Sequence, residues 1–370
     1  MKVLFIATVV KTHIMEFHIP YLKMFKDMGW ETAVAARNDF ENPDDCVIPY
    51  CDKYYDIHFE RNPFKPQNIS AYRQLKHIID TEGYDIIHCH TPVGGVIGRM
   101  ASGRARRQGS KVFYTAHGFH FFHGSSPVSW ILYYPVERLF ARMTDVLITI
   151  NTEDYKTAKS FKAGMVEYTP GVGVNTEKIR HGVQTDRKTK RKEFGIPQNA
   201  QVILSVGEVN KNKNHKVIIE ALRDFDKAWF VLCGRGPLLE ELQRTAAEYG
   251  ISDRVVFAGY RTDVADFYNM ADVFVFPSYR EGLPVALMEA MAEGLKCVAS
   301  RNRGTNDLLP ESRLKFDPAD VGELKEKLRI ALTEDCSDEI SINKEHLRKY
   351  DIDNVIALTR KLYLKAISSK

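Results

Sequence analysis

Compact apolar runs recur along the chain, separated by stretches with helical spacing. Residues 3–9 form the first run and predict a strand. Ile19, Leu22, Met24, Phe25 and Met28 then follow the three-and-four spacing of a helix closed by Gly29. Residues 31–36 read as the next strand, and 86–90 as a buried strand ending in a turn at Thr91-Pro92. The pattern repeats at 111–116 and 146–150. Short apolar strands alternating with helices predict a parallel sheet covered on both faces.

The second half repeats this architecture. Residues 201–206 predict a strand leading into Gly207, and 217–222 a helix. Residues 228–233 predict a strand ending in Gly234-Arg235-Gly236-Pro237, followed by a helix over 238–249. Further strands are expected at 255–257, 273–276 and 296–299, with none after 317. A polar stretch, 168–199, separates the halves and carries Arg187-Lys188-Thr189-Lys190-Arg191-Lys192. This run reads as the solvated face of a short linker helix ending at Gly195, in preference to a nucleic-acid or membrane patch. The boundary falls within 170–195. The domains expected are 1–175, 176–350, and a terminal helix in 351–370 with spare apolar positions to pack back on the first domain.

Composition narrows the class. A chain of 370 residues suits two domains, and 44% hydrophobic content with 11% aromatics fills two cores. The 52 basic and 48 acidic residues leave a net +4, which argues against a dedicated nucleic-acid binder. No apolar stretch approaches the roughly 20 residues of a membrane span, and no cleavable leader pattern precedes the first strand. A cytoplasmic protein is expected. The six cysteines lack metal or redox spacing and read as free thiols; only Cys46 and Cys51 are close together.

Two parallel-sheet domains bind ligands at the carboxyl ends of their strands, and so face each other across a cleft. The most informative segment there runs from Phe276 to Ala292. A strand ends at Phe276, a loop carries Glu281 and Gly282, and a helix starts at Leu283-Pro284, with Pro284 suited to its first position. The free amides of such a first turn form an anion site. Glu289, one turn inside, has the acceptors to grip a vicinal diol. Taken alone, two glutamates eight apart are equally compatible with a solvated helix face.

The segment F-P-S-x-x-E-G-x-P-x-x-x-x-E-A-M-A resembles the retaining glycosyltransferases of family 4, whose signature is E-x7-E. The resemblance extends to Tyr268 and the strand after it, Gly207 with Lys213-Asn214, Gly234-Arg235-Gly236-Pro237, the strand ending at His90, and Thr115-Ala116-His117-Gly118. It implies a GT-B fold of two Rossmann-like domains and a nucleotide-diphosphate sugar donor. It also implies retention of anomeric configuration, with no metal and no other cofactor. By matched position, Glu289 would hold the ribose. Glu281, Gly282, Leu283, Pro284 and Val285 would contact the donor sugar and diphosphate. Lys213 would offset charge on the leaving group, supported by Lys211, and His117 would approach the donor sugar from the first domain. Gly207 and Gly234, with Tyr260 and Arg261, would border the nucleotide.

Three departures stand out. Glu208 follows Gly207 where the family has arginine, so its carboxylate should point away from the diphosphate. The first-strand Gly-Gly loop is replaced by Thr8-Val9-Val10-Lys11-Thr12-His13, making Lys11, His13 and His90 candidates for phosphate or acceptor contact. The G-G-x-x-E element appears as Arg303-Gly304-Thr305-Asn306-Asp307.

Nine of the twelve histidines precede Pro170, including His88, His90 and the spacing His117, His120, His123. That spacing raises a metal cluster, but no matched carboxylate accompanies it, and hydrogen-bonding roles are expected instead. Between Gly98 and Asp145, seven basic residues face two acidic ones among Phe119, Phe121, Phe122, Trp130, Tyr133 and Tyr134. Basic and aromatic residues together suit a peripheral membrane contact or a lipid diphosphate; a core helix with a solvated basic loop suits them equally. Relatives with the T-A-H-G-F-H-F-F stretch look like capsule and exopolysaccharide enzymes acting on polyprenyl-diphosphate-linked acceptors. The expected function is transfer from a nucleotide sugar, a UDP-sugar by preference, to a lipid-linked or oligosaccharide acceptor at the inner membrane face. A non-catalytic nucleotide-sugar-binding or assembly protein on the same fold is the alternative, and a soluble acceptor is a third reading.

Overall fold

The computed structural model describes residues 1–368. It contains two compact units, one formed by Met1–Gly173 with the chain from Asp353 onward, the other by Val174–Ile352.

The first unit holds seven parallel strands: β1 (Lys2–Val9), β2 (Glu31–Arg37), β3 (Lys53–Asp56), β4 (Ile86–His90), β5 (Lys111–Ala116), β6 (Val146–Thr149) and β7 (Met165–Tyr168). Their order is β3-β2-β1-β4-β5-β6-β7. The second holds six: β8 (Gln201–Val206), β9 (Ala228–Cys233), β10 (Val255–Gly259), β11 (Val273–Phe276), β12 (Lys296–Ser300) and β13 (Lys315–Phe316), in the order β10-β9-β8-β11-β12-β13. In β1, alternate residues serve opposite faces. Val3, Phe5 and Ala7 enter one core with Phe25 and Tyr363, and Leu4 and Ile6 enter another with Leu75 and Cys89.

Five helices bear on the site: α1 (Ile19–Asp27), α2 (Pro92–Ala101), α3 (Pro127–Ala141), α4 (Val285–Glu293) and α5 (Ile352–Ser368). Helix α5 buries Val355, Leu362, Tyr363 and Ala366. Burying a Val or Leu of this kind contributes roughly 1.5–3 kcal/mol. Its Tyr363 hydroxyl lies 2.5 Å from His88 Nδ1, and Thr115 Oγ1 lies 2.8 Å from His88 Nε2.

The basic run at 187–192 departs from the expected solvated face. Lys190 and Arg191 are 3% and 1% exposed. Arg191 donates to the carbonyls of Met270, Gln198 and Ala200 and pairs with Asp272, while Lys190 pairs with Asp263. A charge can be buried when its donors are filled this completely, and sequence spacing does not reveal those partners. The six cysteines are free thiols.

Candidate active site

In the second sheet β8 lies between β9 and β11, so the crossovers diverge on either side of it. The loops after β8 and β11 therefore meet at a topological switch point. They are stitched together. Tyr279 N donates to the Asn212 carbonyl at 2.9 Å, and Asn212 Nδ2 donates to the Arg280 carbonyl at 3.0 Å. Asn214 takes a left-handed φ of 52°, which asparagine tolerates better than most residues, and its amide donates to the Pro318 carbonyl at 2.8 Å. This clamp holds Lys213 Nζ 2.8 Å from Glu281 Oε1 and 5.1 Å from the centre of the Phe276 ring.

Close backbone approach explains two glycines. A Cβ on Gly234 would lie 1.9 Å from the Gly207 carbonyl oxygen, and one on Gly304 would lie 2.7 Å from that of Gly282. The G-G-x-x-E element thus keeps the glycine its packing requires. The residue replacing the other glycine, Arg303, is buried and donates through Nε to the Glu281 carbonyl at 3.2 Å. Asn302 caps the following helix at the Thr305 amide and donates to the Ser278 carbonyl at 3.1 Å. Sequence reading missed Arg303 because its partner lies 22 residues away in another loop.

Helix α4 starts at Val285, with Pro284 as its N-cap, so it begins one position later than the sequence suggested. No side chain caps this end among the described residues, leaving amides of the first turn available to an anion. On the next turn, Glu289 Oε2 accepts from the Tyr268 hydroxyl at 2.9 Å, and Tyr268 itself is fully buried. Burial, then the nearby Glu289 charge, pushes the Tyr268 phenol well above its usual value, so it remains a donor. Gly282 and Leu283 are half-buried in the preceding loop, while Lys211 and Glu208 are exposed beyond it. Tyr260 is exposed, with the Arg235 guanidinium 5.1 Å from its ring centre. Arg261 is engaged by Asp263 in two bonds of 2.7 Å, and these hold the Asp263 carboxyl well below the usual carboxylate range. The arginine is thereby committed to its own loop.

The first sheet has its own switch point, between β1 and β4. Beyond it the segment that stands in place of the glycine loop forms a single π-helical turn, Val10–Ile14. Asp39 anchors this turn through Lys11 N at 2.6 Å, and the Lys11 ammonium lies 5.5 Å from the centre of the Phe40 ring. His13 lies in this turn and His18 follows it, His90 ends β4 and His117 follows β5. One nitrogen from each of these four lies within 4.8 Å of the others. Burial lowers the pKa of all four, that of His117 to about 4. The grouping differs from the His117, His120, His123 spacing: the His120 ring stacks on Tyr133 at 4.7 Å instead. His18 was missed because the cluster is assembled from three strand ends rather than one motif.

The basic stretch is also divided. Arg99 is buried beneath α3, 3.0 Å from Glu137 and 3.9 Å from the Tyr114 ring centre, and Arg106 pairs with Asp145. Arg104, Arg107, Arg138 and Arg142 are exposed. Phe119 and Phe121 are core residues, whereas α3 presents Val128, Trp130, Ile131, Leu132, Tyr133, Val136 and Leu139 to solvent. No helix among the described residues is long and apolar enough to cross a membrane.

Comparison with known proteins bears on both units. Residues 2–151 match the family described as glycosyl transferase 4-like, and 186–350 match glycosyl transferases group 1. The chain is 42% identical over 321 residues to EpsD of Bacillus subtilis (strain 168), which carries a glycosyltransferase name; the match covers 85% of this chain and 82% of that protein. It is 30% identical to an Escherichia coli UDP-Gal:alpha-D-GlcNAc-diphosphoundecaprenol alpha-1,3-galactosyltransferase, over 66% of each. Among solved structures, Anabaena HepE in complex with UDP and glucose is similar at a TM-score of 0.80 and 19% identity, with 99% of this chain and all of that one covered. The chain is a GT-B-fold enzyme and belongs to the family of group 1 and 4-like glycosyltransferases.

Proposed function

We propose that the protein transfers a sugar from a UDP-sugar to a polyprenyl-diphosphate-linked acceptor, with retention of anomeric configuration, in polysaccharide synthesis. The observation that carries this reading is the placement of Lys213 against Glu281 beside the uncapped start of α4. Lys213 and the α4 amides bind the diphosphate and stabilise the charge it gains as the sugar leaves. Glu289, oriented by Tyr268, holds the ribose hydroxyls, and Glu281 with the Gly282–Val285 backbone holds the sugar. No bound metal is required at the diphosphate, because the lysine and helix terminus supply the positive potential.

The lipid-linked acceptor is supported by the apolar face of α3 beside exposed arginines, and by the diphosphoundecaprenol substrate named for the E. coli relative. The arginines suit anionic headgroups and the apolar side chains suit the acyl boundary. A transfer assay tests the proposal: the chain is given UDP-sugars and a polyprenyl-diphosphate-linked monosaccharide, and the product anomer is assigned by NMR. Product formation with the donor's anomeric configuration is expected. Nucleotide-sugar binding without transfer to lipid-linked or soluble acceptors would favour the non-catalytic alternative.

A further inference from the structure

We propose that His13, His18, His90 and His117 form a site for one divalent transition-metal ion of the zinc class, within the first unit. The geometry carries this assignment. His13 Nε2 and His18 Nε2 are 3.2 Å apart, as are His90 Nδ1 and His117 Nε2. Two imidazole nitrogens sharing a tetrahedral ion at bonds of about 2.0–2.1 Å would be separated by about 3.3 Å. The six ring-centre separations within the group run from 4.0 to 6.0 Å. Four imidazoles around one such ion would place their centres about 5 Å apart.

The surroundings fit an ion. His18, His90 and His117 line a cavity of about 20 Å³, enough for one water-sized species. His90 is 2% exposed. Phe5 stacks against the His90 ring, while His88 packs beside it with both nitrogens engaged by Tyr363 and Thr115. These contacts fix the rings around the group as an outer shell does. An all-imidazole donor set suits zinc, copper, nickel or iron and excludes the oxygen-seeking calcium and magnesium. The competing arrangement is two hydrogen-bonded imidazole pairs with no ion.

Metal content tests the proposal independently of sugar transfer. The full chain, with any affinity tag removed, is equilibrated with Zn²⁺, desalted and measured by plasma mass spectrometry. About one zinc per chain is expected, and Zn²⁺ should raise the unfolding temperature of that chain. His13→Gln and His117→Gln alter the half-exposed members and should each lose at least about tenfold in zinc affinity, while His58→Gln, at an exposed position outside the group, retains it. Cobalt substitution should give the intense visible absorption of a four-coordinate site. A folded wild-type chain with negligible zinc would overturn the proposal. So would equal zinc content and thermal shift in the wild type, His13→Gln and His117→Gln.

Discussion

Lys213 and Glu281 form an ion pair at 2.8 Å between the loops that follow β8 and β11. Each side chain is largely shielded from solvent, so the lysine is positioned before ligand arrives and little reorganisation is needed. A cation serving the leaving diphosphate acts most strongly when its charge develops. Lys213→Met is expected to lower kcat by about 100-fold or more, with a smaller change in UDP affinity. Steady-state transfer kinetics combined with UDP titration provides the check, and wild-type kcat would remove Lys213 from the transfer step.

Tyr268 governs the neighbouring glutamate. Its buried hydroxyl donates to Glu289 Oε2 and also lies 3.1 Å from the Ala286 carbonyl oxygen. Tyr268→Phe keeps the ring packing while removing the donor, so it should weaken UDP binding by roughly fivefold through loss of carboxylate orientation. Glu289→Gln removes charge-assisted acceptance and should weaken it by about tenfold or more. Calorimetry with UDP and UMP is informative because both carry the ribose. Similar losses for both ligands are expected; a loss confined to UDP would place Glu289 at the diphosphate instead.

The central strands were legible because they are buried on both faces and so appear as continuous apolar runs. Of the four edge strands, β10 was legible, but β3, β7 and β13 were not. Lys53–Asp56, Met165–Tyr168 and Lys315–Phe316 are short, and the first two contain no fully buried residue. Each edge strand pairs on one side only, and its sequence carries half of the apolar signal. The same distinction holds at the site. Glu281, Glu289 and Lys213 stand within recognisable local motifs, whereas Arg303 and His18 gain their roles from partners delivered by other loops. Charge runs misled for the same reason: Arg191 is nearly sealed from solvent by carbonyls 7 to 79 residues away.

His215 predicts a specific acid sensitivity. It is 3% exposed, with Nδ1 lacking a partner among the described residues. Burial, and secondarily the Lys213 cation, lowers its pKa from 6.5 to about 3. The unfolded chain therefore takes a proton that the folded chain refuses. The stability contribution is complete above about pH 6.5 and declines as pH falls toward about 3, by up to roughly 1.4 kcal/mol per pH unit. His215→Leu removes this proton uptake, so its stability should fall less than that of the wild type between about pH 7.5 and about pH 5. Urea unfolding at both values measures the difference, and parallel declines would rule out His215 as the source.

Helix α3 supplies a test of acceptor delivery that leaves donor chemistry intact. Ile131 and Leu132 are 72% and 55% exposed on a helix whose companions Val128, Val136 and Leu139 are also exposed. An apolar face next to Arg138 and Arg142 favours an anionic bilayer, since hydrophobic burial and headgroup attraction act together. Ile131→Glu with Leu132→Glu replaces apolar area with negative charge and should reduce binding to phosphatidylglycerol vesicles by at least about tenfold. UDP binding should be unchanged, because these residues take no part in the donor site. Vesicle co-sedimentation separates this contact from general charge attraction: high salt should weaken wild-type binding without abolishing it, as the apolar component persists. Equal binding by the wild type and the double variant would dismiss α3 as the membrane contact.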